Sequence, residues 1–136
     1  MTDEEILAAT LGIVKLGEVR FDAQLDGPTV HNIFTVPPGK RAVVLAFAAY
    51  KNSASLAGMT DVNLGGGPAA VTPSLLDAES LAALTTANMF KWLWPDVKVT
   101  LNGDSSVLAE RNCVVEVVAG STGAAYVNIA AFGFLY

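Results

Sequence analysis

The chain has 136 residues, 52% of them apolar and only 15% charged, with a formal net charge of −5. That length fits one domain with a substantial core; the eight Lys and Arg residues are scattered singly apart from Lys40-Arg41, which excludes a basic face for nucleic acid or for anionic membranes. Ordinary domains carry about 25% charged residues, so a lone copy of this chain would expose much apolar surface, and large apolar patches mark interfaces: the composition predicts an obligate homo-oligomer.

Thr2-Asp-Glu-Glu5 has the form of a helix capping box, with Ile6-Leu-Ala-Ala9 behind it. Residues 1–12 therefore read as a short N-terminal helix or an arm, and residues 13–136 as a β domain. The same acidic opening stands where a secretory leader would be basic, which predicts no signal peptide. Residues 13–23 alternate as a strand does, and Asp26-Gly-Pro28 is a turn signal. Thr29–Val36 is strong strand material, broken by Pro37-Pro-Gly39. Arg41–Tyr50 is the next strand. Neither of its faces is polar, and the small face containing Ala42, Ala46 and Ala48 permits close approach of another layer. Thr60–Leu64 reads as a short strand ended by Gly65-Gly-Gly67. Pro73 and Asp77-Ala-Glu-Ser80 suggest loops, with one helical turn over Glu79–Leu84. Met89–Trp94 returns to strand character and stops at Pro95. Val97–Leu101 alternates, and Asn102-Gly103 is a strong hairpin signal, so this run should pair with a strand starting near Val107.

The last quarter reads as two long apolar strands, Val107–Ala119 and Ala124–Tyr136, joined by Gly120-Ser-Thr-Gly123. The uncharged stretch Val117–Tyr136 has the length of a membrane span. Gly120, Gly123 and Asn128 interrupt it, and its flanks are strand-like, so membrane insertion is not expected. The sum is about eight strands with frequent turns and none of the amphipathic helices that a βαβ fold needs. This predicts an all-β chain, an antiparallel β-sandwich or jelly roll.

Few residues offer chemistry. One histidine, His31, excludes a multi-His metal site and weakens any Ser/His/Asp arrangement, which needs nucleophile, base and orienter together. Cys113 sits in an apolar run and reads as a buried, inert thiol. Gly65-Gly-Gly67 lacks the Lys-Ser/Thr of a phosphate loop. Asp61 and Asn63 offer two oxygens where calcium takes six to eight. No catalytic residue, metal or cofactor is predicted, and the chain is not expected to be an enzyme. Two aromatic sets stand out instead. Phe90, Trp92 and Trp94 alternate and so share one face of a strand. They suit core or interface packing; alternatively Trp92 and Trp94 form a platform for sugar rings, as in a carbohydrate-binding module. Tyr126, Phe132, Phe134 and Tyr136 share a face of the last strand, whose other face is aliphatic. One sandwich has one interior, so this aromatic set is expected near a contact between subunits.

Two stretches carry a resemblance. Phe34-Thr-Val-Pro-Pro-Gly-Lys-Arg-Ala-Val-Val44 resembles the strand–turn–strand of many small phage structural β-sandwiches. The ending Tyr126–Tyr136, with Phe132-Gly-Phe134 close to a terminal Tyr, is similar to their closing strand. Such proteins include head-decoration proteins and tail or head-fibre tip domains, often trimeric. The resemblance implies a virion protein that binds its own copies, as a trimer, and a capsid or tail partner. It assigns no functional residue.

Overall fold

The computed structural model describes residues 13–24, 29–67, 72–95 and 100–136. The reading of residues 1–12 as helix or arm, and the turn at Asp26-Gly-Pro28, lie outside them. The strands are β1 (Val14–Asp22), β2 (Thr29–Thr35), β3 (Arg41–Tyr50), β4 (Asp61–Gly66), β5 (Thr72–Glu79), β6 (Phe90–Leu93), β7 (Thr100–Asn102), β8 (Asn112–Ala119) and β9 (Tyr126–Leu135). Among the described residues the helical structure is a single 3₁₀ turn, Leu108–Glu110. No helix among them is long and apolar enough to cross a membrane.

The strands form two antiparallel sheets. Sheet A has the order β1-β9-β3-β6, with β7 also on β3; sheet B has the order β2-β8-β4-β5. β6 and β7 share one side of β3, pairing with its Phe47–Tyr50 and Arg41–Val43 ends. The described residues thus form an all-β sandwich of nine strands, as their alternation requires. Alternate side chains of each sheet fill the space between them. Sheet A contributes Phe21, Val44, Phe47, Val127 and Ile129; sheet B contributes Val62, Leu64, Val115 and Val117. Along one side the two layers nearly touch. A Cβ on Gly17 of β1 would lie 2.5 Å from the Ile33 carbonyl oxygen of β2, so only glycine lets these backbones approach so closely.

Five expectations are corrected. Asn102-Gly103 does not turn a hairpin onto the strand after Val107, because β7 pairs with β3 instead. Gly103 serves a close approach: its N–H donates to the Lys40 carbonyl, and a Cβ there would lie 1.8 Å from the Pro37 oxygen. The strand expected from Val107 starts at Asn112, after the 3₁₀ turn. β8 and β9 are not hairpin partners. β8 pairs with β2 and β4, and β9 with β1 and β3, so residues 120–125 cross from one sheet to the other. The Ser121 N–H donating to Ala23, and the Thr122 N–H donating to Ala57, hold that crossing. Each strand is central in its own sheet. Finally, Thr72–Glu79 is a strand where loops were expected, and the Gly65-Gly-Gly67 stretch continues β4 through Gly66.

Candidate interaction surface

The outer face of sheet A carries an aromatic layer. Antiparallel register sets Trp92 beside Ala48, Ala48 beside Ala130, and Ala46 beside Phe132. Ala46, Ala48 and Ala130 have side chains too small to rise above the pleat, so the neighbouring rings lean over them and bury them. Trp92 is the hub. Its ring lies 4.9 Å from Phe90 and 5.5 Å from Phe132, both edge-on, and 5.6 Å from Trp94, stacked at 30°. Tyr50 joins through Phe90 at 5.8 Å. Phe134 and Tyr136, 6.4 Å apart, continue the layer along β9. Edge-on and offset pairs are the favoured arrangements for rings and stiffen the layer.

These rings remain open to solvent. Trp94 is 64% exposed, Tyr136 57%, Phe90 51%, Trp92 39% and Phe134 37%. At about 200 Å² per ring side chain, those fractions amount to roughly 500 Å² of open aromatic surface, against the ~800 Å² that one partner contributes to a standard protein interface.

A buried side chain presents β6 to this face. Asn52 is fully enclosed between the two loops that precede β4 and β6. Its amide donates to the Ala54 and Thr86 carbonyls at 2.9 and 2.7 Å, and its oxygen accepts the Met89 N–H at 2.9 Å. Met89 is the residue before β6, so this one amide fixes where the Phe90–Trp92–Trp94 row begins.

The residues singled out in sequence divide as follows. Trp92, Trp94 and Phe132 come together in one cluster, and Phe134 and Tyr136 extend it. Tyr126 lies at the opposite end of β9, opposite Asp22, with the Arg20 guanidinium 5.6 Å over its ring. Tyr50 and the alanine floor belong to the layer although the sequence did not single them out. Their signal was present in the alternation of Ala46, Ala48 and Tyr50, read there as room for another layer rather than as a seat for neighbouring rings.

The residues with chemical potential are placed elsewhere. His31 points inward from β2 and stacks on Phe21 at 4.5 Å and 16°; its Nε2 is buried without a hydrogen-bond partner among the described residues. Loss of solvent lowers its pKa from the usual 6.5. Cys113 is fully buried, and the same desolvation pushes its thiol pKa up, away from reactivity. Asn63 binds Glu116 at 3.1 Å and accepts the Ala78 N–H at 2.8 Å, so it serves the fold of β4, which is an internal strand. Among the described residues no group of three or more His, Cys, Asp or Glu gathers to hold a metal.

What the geometry defines is an all-β sandwich presenting an aromatic sheet face. No protein-family model matches the chain, and no curated protein matches its sequence. Among solved structures, a chain in the capsid asymmetric unit of cyanophage Pam1 is similar, with a TM-score of 0.54 and 15% identity over 90% of this chain and 84% of that one. That likeness is one of fold. A structure of infectious bursal disease virus, Gx strain, aligns over 90% of this chain and 39% of that one at 11% identity, with a TM-score of 0.34. A likeness that slight does not bear on the fold.

Proposed function

We propose that this chain is a non-enzymatic structural protein of a phage virion, a self-associating β-sandwich with a decoration or appendage role on the capsid or tail. The observation that carries the reading is the open aromatic layer on sheet A. A sheet face with roughly 500 Å² of exposed ring surface suits a covered face in an assembly. The shared fold with a chain of a phage capsid supports the virion setting. The sole histidine and sole cysteine both face the interior, which takes the imidazole and the thiol out of surface chemistry. In this reading the partners are further copies of the chain, as a trimer, and a capsid or tail protein. Nucleic acid is not a partner in this reading, because a net charge of −5, with the eight Lys and Arg residues dispersed among thirteen acids, gives phosphates no net attraction. Native mass measured over a dilution series tests the reading: a multimer is expected, and a monomer throughout refutes self-association.

A second reading rests on the stacked, exposed pair Trp92 and Trp94. Such a platform suits the apolar face of a sugar ring, and the chain would then be a carbohydrate-binding module. Tryptophan emission that shifts on addition of glycans supports it; emission indifferent to glycans, in a chain that assembles, removes it.

A further inference from the structure

From the two outer faces we infer that copies of this chain pack head to tail, the aromatic face of sheet A in one copy seated on the outer face of sheet B in the next. The inference rests on the self-association proposed above and says which surfaces meet. It begins with charge. The strands of sheet A carry Lys15, Arg20, Arg41 and Lys91 against Glu18 and Asp22. The strands of sheet B carry Asp61, Asp77, Glu79 and Glu116, with no Lys or Arg. Lys91 is taken up by the Ser80 carbonyl at 2.8 Å, but Lys51 adds a cation beside the aromatic layer, 5.5 Å over Tyr50.

Three pairings of these faces are available. Lys15 is paired with Glu18 at 3.6 Å, so sheet A is mixed in sign with a small positive excess, and sheet A on sheet A gains nothing from net charge. Sheet B on sheet B sets acids against acids. Sheet A on sheet B alone sets a net positive face on a net negative one, and like charges across an interface select against wrong partners. Shape favours the same pairing. Sheet B has a shallow depression of about 260 Å³ on its outer face, lined by Val30, Asn32, Thr35, Gly67, Asn112 and Val114. Its valines give an apolar seat. Asn32, Thr35 and Asn112 form a hydrogen-bonded rim, Asn32 to Thr35 at 3.4 Å and Thr35 to Asn112 at 2.7 Å. An indole suits such a seat: an apolar body with one N–H to donate at the rim. Trp94, the most exposed large apolar side chain among the described residues, is the group on sheet A that would enter it. A contact between two different faces is heterologous, so it continues from copy to copy, as a ring where the rotation between copies closes and as an open stack where it does not.

A mixing experiment tests this. One variant, Trp94→Ser with Arg41→Glu, spoils the sheet A face. The other, Asn32→Arg with Asp77→Lys, spoils the sheet B face. All four positions are exposed. Each variant alone is expected at the 14.1 kDa chain mass, with self-association weakened at least a hundredfold. Their equimolar mixture is expected at twice that mass, because one intact sheet A face meets one intact sheet B face and growth stops there. Should a double variant lose its circular dichroism signature, the single substitutions Trp94→Ser and Asp77→Lys carry the same comparison. A sheet B variant that assembles like the parent chain, with a mixture that forms no heterodimer, overturns the inference and leaves self-association standing through another face. A parent chain that stays monomeric at every concentration overturns both, and assigns the aromatic face to a different partner.

Discussion

Trp92 and Trp94 stack on each other, yet truncating them should have different consequences for folding and for assembly. Trp92 is 39% exposed, so about 120 Å² of its surface is buried within the monomer, worth roughly 3 kcal/mol of folding stability. Trp94 is 64% exposed, and the ~70 Å² it buries is worth roughly 2 kcal/mol. The order reverses for assembly, where the surface still open in the monomer is what a partner covers. Denaturant unfolding at two protein concentrations separates the effects, since association makes the midpoint concentration-dependent. Trp92→Ala should lower the midpoint at both concentrations by the same free energy. Trp94→Ala should lower it less at high dilution and abolish most of the difference between concentrations. The reasoning is refuted if Trp94→Ala costs the fold as much as Trp92→Ala while the concentration dependence survives.

Three further outcomes follow from the packing. Burial lowers the pKa of His31, so the fold binds this proton less readily than the unfolded chain does. The stability it contributes is present above the usual 6.5 and is lost as pH falls below it. Melting temperature should drop from pH 7.5 to 5, and His31→Phe, which keeps a ring on Phe21, should flatten that slope. Gly103→Ala drives a Cβ into the Pro37 backbone at 1.8 Å and should cost about 3 kcal/mol, whereas Gly123→Ala meets nothing within 4 Å and should stay within about 0.5 kcal/mol of the parent chain in the same unfolding assay. Asn52→Ala leaves the Ala54 and Thr86 carbonyls and the Met89 N–H without their side-chain partner and should cost about 2 kcal/mol, with faster amide exchange in β6 as its signature.

Strand identity was legible where apolar residues alternate, as over Thr29–Thr35 and Arg41–Tyr50, because burial of one face writes a period of two into the sequence. Partnership was not. The Asn102-Gly103 signal is local, and a close approach to Pro37 uses the same glycine for a different purpose. Pro73, Asp77 and Glu79 read as loop, yet an edge strand such as β5 tolerates a missing donor and exposed acids. β8 and β9 read as successive apolar strands with a short link between them, and nothing local says that they belong to different sheets. The aromatic sets were visible as alternations in separate strands. That Trp92 meets Phe132 while Tyr126 stands apart depends on the β3 register, which places the alanines between them.

The position of β9 has a consequence for synthesis. β9 lies between β1 and β3, so the first strand described here finds its neighbour only in the last. A ribosome must deliver residues up to Leu135 before sheet A has its middle strand. Until then β1 and β3 hold unpaired edges and the Trp92 row lacks the Phe132 ring beside it. Pairings of such sequence separation place the chain among slow folders, on the scale of milliseconds to seconds. During that interval the nascent chain offers open strand edges to its neighbours, and a holding chaperone would find them there.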